Sequence, residues 1–202
     1  MNRLRWPWAI PAMLVVAGCA STPLHYHTLV PASTPEAAAT ASVSGSYHFE
    51  VEAVRIPAQV DRFELVARQR TDQIALVDGE VWIAPLADEL RSALSLELIR
   101  QLGSAEASQV RDELVIAIRV EVERFESVPG NYALIEASWS LSEGSGRPGA
   151  TLACRSRAHE RVGEGYIALV RGHQRAVISL ADEIAAAIKQ IGANGNRACP
   201  AK

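Results

Sequence analysis

The fold is decided by residues 114–141, LVIAIRVEVERFESVPGNYALIEASWSL, in which two alternating segments flank a short turn. Apolar side chains occupy every second position of both segments: Leu114, Ile116, Ile118, Val120 and Val122, then Ala133, Ile135, Ala137, Trp139 and Leu141. A period of two is typical of β-strands with one buried face. Pro129-Gly130-Asn131 favours a turn between the segments. We therefore expect a central antiparallel pair whose other face carries charged and serine side chains.

Shorter segments with strand character surround this pair. The predicted strands are Tyr26–Val30, Tyr47–Ala53, one that begins at Phe63, and a weaker one at about Thr151–Arg161. In the second of these, the odd-numbered residues are expected to face the core. Ile74–Val77 and Val81–Ile83 flank Asp78-Gly79, a pair that tolerates positive φ, so a hairpin is predicted there.

Two helices complete the predicted domain. The first is marked by Pro85 at its start, by Gly103 at its end, and by leucines at four-residue spacing: Leu86, Leu90, Leu94, Leu98 and Leu102. The second runs from about Tyr166 to Ile191, with an inward stripe of Ile167, Val170, Val177, Leu180, Ile184, Ile188 and Ile191. Its outer side is expected to carry a basic patch of Arg171, His173 and Arg175. These elements predict an α+β, two-layer domain in which a mostly antiparallel sheet carries two helices on one face.

The N-terminus carries the pattern of a lipoprotein signal peptide. Arg3 and Arg5 precede an apolar run that ends in Val16-Ala17-Gly18-Cys19. That run is shorter than the roughly 20 residues of a membrane-spanning helix. Small residues before a cysteine form the recognition site of the lipoprotein signal peptidase. An uncleaved anchor or a buried terminal helix is the alternative, and Pro11 disfavours it because proline breaks a helix.

The expected processing sets the organisation of the mature chain. Residues 1–18 are removed, and Cys19 receives a diacylglycerol and an N-acyl chain, which are the only non-protein groups expected. Residues 19–24 form the lipidated tether, 25–192 a single domain and 193–202 a C-terminal tail. Ala20 stands where an aspartate would retain a lipoprotein in the inner membrane, so we expect the periplasmic face of the outer membrane.

Charge gives no support for nucleic-acid binding. The formal net charge is −3 for the whole chain and becomes −5 once the segment with Arg3 and Arg5 is removed. The sequence contains no basic run and no interleaving of aromatic with basic residues. Nucleic acid is therefore not expected as a partner.

Cysteines and a tryptophan provide the remaining candidate sites. Cys154 and Cys199 are the thiols left after lipidation of Cys19, and the periplasm favours a disulfide between them. The alternative is a buried Cys154 with a free Cys199 in the tail. Trp82 stands just before the first helix, where it is expected to pack as a hydrophobic staple. A contact with a partner protein is the second interpretation of Trp82.

Signals for metal binding and catalysis are weak. His25 and His27 share one side of a predicted strand, but two ligands without a third nearby make a poor site, so no metal is expected. No nucleophile elbow, zinc-protease motif or phosphate loop is present. Asp88-Glu89 and Asp182-Glu183 are interpreted as solvated charges, and Ser138 and Ser140 as polar strand positions. The sequence therefore does not indicate an enzyme.

Several segments, taken in order, resemble the PqiC-type lipoproteins, which are auxiliary lipoprotein components of ABC-type transport systems. The segments are Cys19–Pro23 leading into Tyr26–Leu29, Val54–Pro57 with Val60–Arg62 and Leu65–Arg68, and Trp82–Leu86 before the first helix. The similarity covers nearly the whole mature chain. Residues 32–46 and the cysteine-bearing tail depart from the family pattern.

The resemblance implies a function without catalytic residues. It implies an outer-membrane lipoprotein that works with MCE-domain proteins, an ABC permease and an ATPase, and that forms a homo-oligomeric ring. We therefore expect a non-enzymatic component of an intermembrane lipid transport system. It would dock the periplasm-spanning MCE tunnel at the outer membrane and support membrane integrity. The alternative is a ligand-binding or assembly lipoprotein of another envelope machine, similar to a pilotin.

Overall fold

The computed structural model describes residues 23–31, 48–103, 115–143 and 151–200. Within these ranges the elements are, in order, β1 (His25–His27), β2 (Phe49–Arg55), β3 (Glu64–Arg68), β4 (Ile74–Trp82), α1 (Leu86–Leu102), β5 (Ile116–Val128), β6 (Tyr132–Glu143), β7 (Leu152–Arg161) and α2 (Tyr166–Asn194). The predicted α+β fold is confirmed. Leu114 and Tyr47, which were assigned to predicted strands, lie outside the described residues.

The strands form two sheets rather than one. The larger has the order β2-β5-β6-β7 and the smaller the order β1-β4-β3. Each sheet contains one parallel pair, β2 with β5 and β1 with β4, while the other pairs are antiparallel. Parallel neighbours require a long connection, and more than forty residues separate the strands of each of these pairs.

Both helices pack on one face of the four-stranded sheet, as predicted. α2 contacts β6 and β7, while α1 contacts β2 and α2. Val120, Trp139 and Cys154 are paired across β5, β6 and β7, and all three side chains are buried. The neighbouring row of Arg119, Ser140 and Ala153 has the opposite orientation. The period-two pattern of the sequence therefore decides which face of this sheet receives the helices.

The hairpin predicted at Asp78-Gly79 is wrong. β4 is one continuous strand from Ile74 to Trp82, and the turn between β3 and β4 lies at residues 69–73. Gly79 does adopt a positive φ of 77°. It lies where the β3–β4 register shifts, because Glu64 pairs with Val81 but Val66 pairs with Leu76. The glycine thus permits a β-bulge instead of a turn.

The inward positions of two other strands also differ from prediction. In β2, Val51 and Val54 are buried while Ala53 is exposed, because the β2–β5 register shifts between Val51 and Val54. The first strand ends at His27 rather than at Val30. Phe63 precedes β3 and is exposed.

The buried face of α2 differs from the predicted stripe at its first turns. Ile167 is 66% exposed, because Tyr166 occupies the position four residues before Val170 and packs against the core instead. His173, which was expected on the outer side with Arg171 and Arg175, is fully buried. The predicted basic patch therefore loses its histidine. α2 ends at Asn194, beyond the predicted Ile191, where Gly195 adopts a left-handed conformation.

A disulfide joins Cys154 of β7 to Cys199 after α2. This is the first of the two interpretations of these cysteines. The bond closes a loop with a sequence separation of 45 residues. In the chain-entropy treatment, a loop of that length contributes roughly 4 kcal/mol to stability. The segment after α2 is thereby held against the edge strand of the larger sheet.

Gly172 allows α2 to approach the end of β7 closely, and its replacement gives a test of this packing. A methyl group added at Gly172 would lie 2.2 Å from Cγ1 of Val162 and 3.0 Å from Cβ of Ala133. We expect Gly172→Ala to lower the free energy of unfolding by about 1–3 kcal/mol in urea titrations, although alanine normally favours a helix. Gly163→Ala is the matched control, since its nearest contact is Ala168 Cβ at 4.0 Å. Unchanged stability of Gly172→Ala would contradict this account of the packing.

Candidate functional site

The predicted lipid-attachment residue Cys19 and the predicted signal peptidase recognition residues Val16, Ala17 and Gly18 lie outside the described residues, whose first segment begins at Pro23. No helix in the described part of the chain is long and apolar enough to cross a membrane. The candidate functional site begins in the described segment that follows Cys19, residues 25–30. We call this the anchor segment.

A glutamate on the neighbouring strand holds the two histidines of the anchor segment. His25 pairs with Glu80 in the parallel register, which places His25, His27 and Glu80 on one face. The carboxylate of Glu80 accepts hydrogen bonds from His25 Nδ1, at 2.9 Å, and from His27 Nε2. Burial alone would raise the pKa of Glu80, but the hydrogen bonds from His27 and His25 outweigh it and lower that pKa.

The sequence placed no third ligand-type side chain beside His25 and His27, whereas in the structure Glu80 lies there. Its oxygens contact the ring nitrogens directly, so hydrogen bonds hold the cluster together. Among the described residues, no group of three His, Cys, Asp or Glu side chains has the arrangement of a metal site. The cluster fastens β1 to β4.

A buried carboxylate holds the second half of the anchor segment. Glu89, in the first turn of α1, accepts hydrogen bonds from the Leu29 N–H and the Thr28 hydroxyl, both at 2.7 Å. Gln174 of α2 donates to the Thr28 carbonyl at 3.0 Å. The helix N-terminus also favours a negative charge at this place. The interpretation of Glu89 as a solvated charge was wrong, whereas its neighbour Asp88 is exposed.

The second acidic pair that was interpreted as solvated also makes specific contacts. Glu183 accepts a hydrogen bond from the Ser156 hydroxyl, and the Ser156 Oγ in turn accepts one from the Trp139 indole N–H at 2.8 Å. Asp182 accepts from the Gln101 side chain at 2.6 Å, which links α2 to the end of α1. Both carboxylates therefore stabilise the packing of α2.

Trp82 lies at the centre of a chain of aromatic contacts. Its ring meets His27 edge-on at a centroid distance of 6.4 Å and Phe125 at the same distance. Phe125 in turn stacks on His173 at 4.0 Å. The Trp82 side chain is 2% exposed, so it packs in the core and is not accessible to a partner in this structure. The aromatic chain connects the anchor segment to α2 through the interior.

His173 and Ser127 form a hydrogen-bonded pair inside the core. The distance between His173 Nε2 and Ser127 Oγ is 2.8 Å, and both side chains are buried. His173 Nδ1 has no hydrogen-bond partner among the described residues. Burial lowers the pKa of His173 to about 3. The neutral imidazole is therefore a packing element, enclosed away from any surface that a substrate reaches.

The face of the four-stranded sheet opposite the helices carries an open groove of about 750 Å³. Ser138 and Ser140 lie in it, in agreement with their predicted polar positions. Arg119 donates to both carboxylate oxygens of Glu52, at 2.6 and 3.0 Å, and Arg155 lies 3.0 Å from Glu123. We call this surface the open face. These ion pairs suit contact with a protein surface better than contact with lipid tails.

Glu89 gives a direct test of how the anchor segment is held. We expect Glu89→Ala to remove the hydrogen bonds to Thr28 and Leu29 and to destabilise the protein by roughly 1.5–3 kcal/mol. Hydrogen exchange would show lost protection at the Leu29 amide while the amides of β5 and β6 stay protected. Asp88→Ala, one residue earlier on the exposed side of α1, is the control and should retain that protection. Retained protection of Leu29 in Glu89→Ala would show that other contacts hold the segment.

His173 predicts a dependence of stability on pH. An unfolded histidine binds a proton below a pKa of about 6.5, whereas the pKa of folded His173 is about 3. Stability is therefore unaffected by this group above pH 6.5 and falls by about 1.4 kcal/mol per pH unit between roughly pH 6.5 and 3. Urea titrations from pH 7 to 5 should show this loss in the wild type and in His159→Gln, an exposed control. In His173→Gln this pH-dependent loss of the free energy of unfolding should disappear. If the free energy of unfolding of His173→Gln falls with pH as steeply as that of the wild type, His173 is not the source of the loss.

Comparison with known proteins agrees with the resemblance to PqiC-type lipoproteins. The model of a family described as ABC-type transport auxiliary lipoprotein component matches residues 27–185. The crystal structure of an uncharacterized protein is similar with 20% identity and a TM-score of 0.65, covering 83% of this chain and 99% of that chain. A Xanthomonas campestris protein of the DUF330 family has 18% identity and a TM-score of 0.56, covering 80% of this chain and 91% of that chain.

These structural similarities concern the fold. The comparison with curated proteins gives no match. The family match includes β2 to β7, α1 and most of α2, together with His27, Glu89 and Trp82 of the candidate site. Because it spans well over half of the sequence, the chain belongs to the family of ABC-type transport auxiliary lipoprotein components.

Proposed function

We propose that this protein is a non-enzymatic outer-membrane lipoprotein that docks the tunnel of an MCE-type lipid transport system. The acyl chains on Cys19 would hold the domain at the periplasmic face of the outer membrane. A periplasm-spanning MCE protein, served by an ABC permease and ATPase at the inner membrane, would bind the anchored domain. Lipid would then pass between the membranes through the tunnel, which supports membrane integrity.

The observation that carries this proposal is the rigid attachment of the anchor segment to a domain of the transport-auxiliary family. Glu80 fixes His25 and His27, and Glu89 fixes Thr28 and Leu29. Leu24 is the fifth residue after Cys19, so the tether spans at most about 17 Å when fully extended. A lipid anchor followed so closely by a fixed segment leaves the domain little freedom to leave the membrane surface. This arrangement suits a fixed docking platform.

The open face is the surface proposed for the MCE protein. Several of its arginines are paired with glutamates of the same sheet, as in Arg119 with Glu52 and Arg124 with Glu136. Charged groups at the rim of an interface contribute to orientation and association rate. A homo-oligomeric ring, as the family resemblance implies, would present several such faces to one tunnel.

Co-purification from the native membrane tests the proposal. The full-length protein, extracted with mild detergent, should retain an MCE-domain protein. Cys19→Ala should keep the fold by circular dichroism and lose both the anchor and the transport-linked resistance of cells to detergents. Ser21→Ala, two residues further along the tether, is the control and should behave as the wild type.

Other results would assign another role. Absence of any MCE protein from the wild-type preparation would contradict the proposal. Recovery of secretion or pilus components in its place would support the pilotin-like alternative. Normal detergent resistance with Cys19→Ala would show that anchoring is dispensable for function.

A further inference from the structure

Large apolar side chains are exposed on and beside the anchor segment. Leu24 is 56% exposed, Tyr26 is 63% exposed and Ile83 is 64% exposed. Tyr26 lies in β1, Leu24 directly precedes β1, and Ile83 directly follows β4. Such a group differs from scattered surface residues because its members are neighbours in one sheet.

The register places these residues on one side of the three-stranded sheet. His25 and His27 turn toward Glu80, so Tyr26 between them faces the other way. Tyr26 pairs with Val81, and the Ile83 N–H donates to the His27 carbonyl at 2.9 Å, which continues the ladder beyond β4. We call this surface, formed by Leu24, Tyr26, Val81 and Ile83, the outer face.

The outer face is bordered by charge on one side. On β3, at the far side of the same sheet, the residue that pairs with Val81 is Glu64, which is exposed. Other apolar side chains of this sheet are also exposed: Phe63 before β3, and Ile74 and Leu76 at the far end of β4. The outer face is distinguished from them by its position at β1, the strand that follows Cys19.

Chain length decides what covers the outer face. Tyr26 is the seventh residue after Cys19, so at most about 25 Å of fully extended chain joins them. The tyrosine cannot move independently, because Glu80 and Glu89 fix the residues on both sides of it. Acyl chains that enter a bilayer at Cys19 therefore bring this surface within reach of the lipid headgroups.

We propose that the outer face is the surface with which the anchored domain contacts the phospholipid leaflet. This inference rests on the proposed anchoring through Cys19 and adds the side of the domain that faces the membrane. Tyr26 has the amphipathic ring that is enriched at membrane–water interfaces. Leu24 and Ile83 enter the boundary between headgroups and acyl chains, and thereby fix the orientation of the domain.

Site-directed fluorescence tests the proposal in the full-length acylated protein. Cys154 and Cys199 are bonded to each other, and acylation would block Cys19, the third cysteine of the sequence, so an introduced cysteine supplies the reactive thiol. Ile83→Cys is labelled with an environment-sensitive dye in vesicles of phosphatidylethanolamine and phosphatidylglycerol. Leu96→Cys is the matched control, since Leu96 is apolar, 48% exposed and lies on α1. Mass spectrometry first verifies the acyl chains on Cys19.

The expected result is a blue shift and a several-fold quenching by nitroxide-labelled lipids at position 83, with little change at position 96. Equal quenching at both positions, or none at position 83, would overturn the proposal. A blue shift at position 83 without lipid quenching would assign the outer face to a second copy or a protein partner, and would also overturn it. A wild-type protein without acyl chains on Cys19 would overturn the outer-face proposal together with the anchoring on which it rests.

These outcomes separate the inference from the proposed docking function. An acylated protein that co-purifies with an MCE protein but shows no lipid quenching at position 83 contradicts the outer-face proposal alone. Quenching at position 83 without an MCE partner supports the outer-face proposal and contradicts the docking function.

Discussion

The structure depends on the register of the antiparallel pair β5–β6, which has one buried face and one solvated face. This long antiparallel pair runs from Ile116 opposite Glu143 to Val128 opposite Tyr132, and it provides edges for β2 and β7. Its buried row receives α1 and α2, while its other row forms the open face. A shift of one residue in this register would exchange the buried and the solvated side chains of β5 or β6. The helices and the open face therefore follow from one constraint.

The anchor segment is joined to this framework mainly by polar contacts and not by a large buried apolar area. β1 has three residues, which is too short to hold its place by hydrogen bonds to β4 alone. Glu80 and Glu89 add charge-assisted contacts, and Leu29 is fully buried beside them. A desolvated carboxylate that accepts two hydrogen bonds fixes position more strictly than apolar packing does. The segment nearest the proposed lipid anchor is thereby given one defined orientation.

Regular periodicity made much of the fold predictable. The leucine spacing of α1 and the alternation of β5 and β6 each extend over enough residues to fix element type and buried face. Asp78-Gly79 was assigned the wrong role because a glycine with positive φ serves either a turn or a bulge. The choice between these depends on the partner strand β3, which lies outside the local sequence.

Polar residues on buried faces were the main cause of error in the candidate site. His173 lies three residues after Val170 and four before Val177, so the helical period alone places it inward. Its polarity suggested the surface, but stacking on Phe125 and the hydrogen bond to Ser127 compensate for its burial. Glu89 similarly follows Leu86 by three residues, and its partner Leu29 is sixty residues away. Periodicity could have located both side chains, whereas their partners needed the three-dimensional structure.

The two exposed sheet surfaces differ in chemistry, and the difference accords with the proposed role. The outer face presents exposed Tyr26 and Ile83 near the proposed anchor, whereas the open face carries ion pairs within the sheet, such as Arg119 with Glu52 and Arg155 with Glu123. Acyl chains supported by interfacial side chains give a permanent contact. Solvent-exposed ion pairs are screened by salt, and each contributes little to the free energy of binding. A partner that binds through such pairs therefore dissociates readily. A domain of this design would remain on its membrane while its transport partner associates and dissociates.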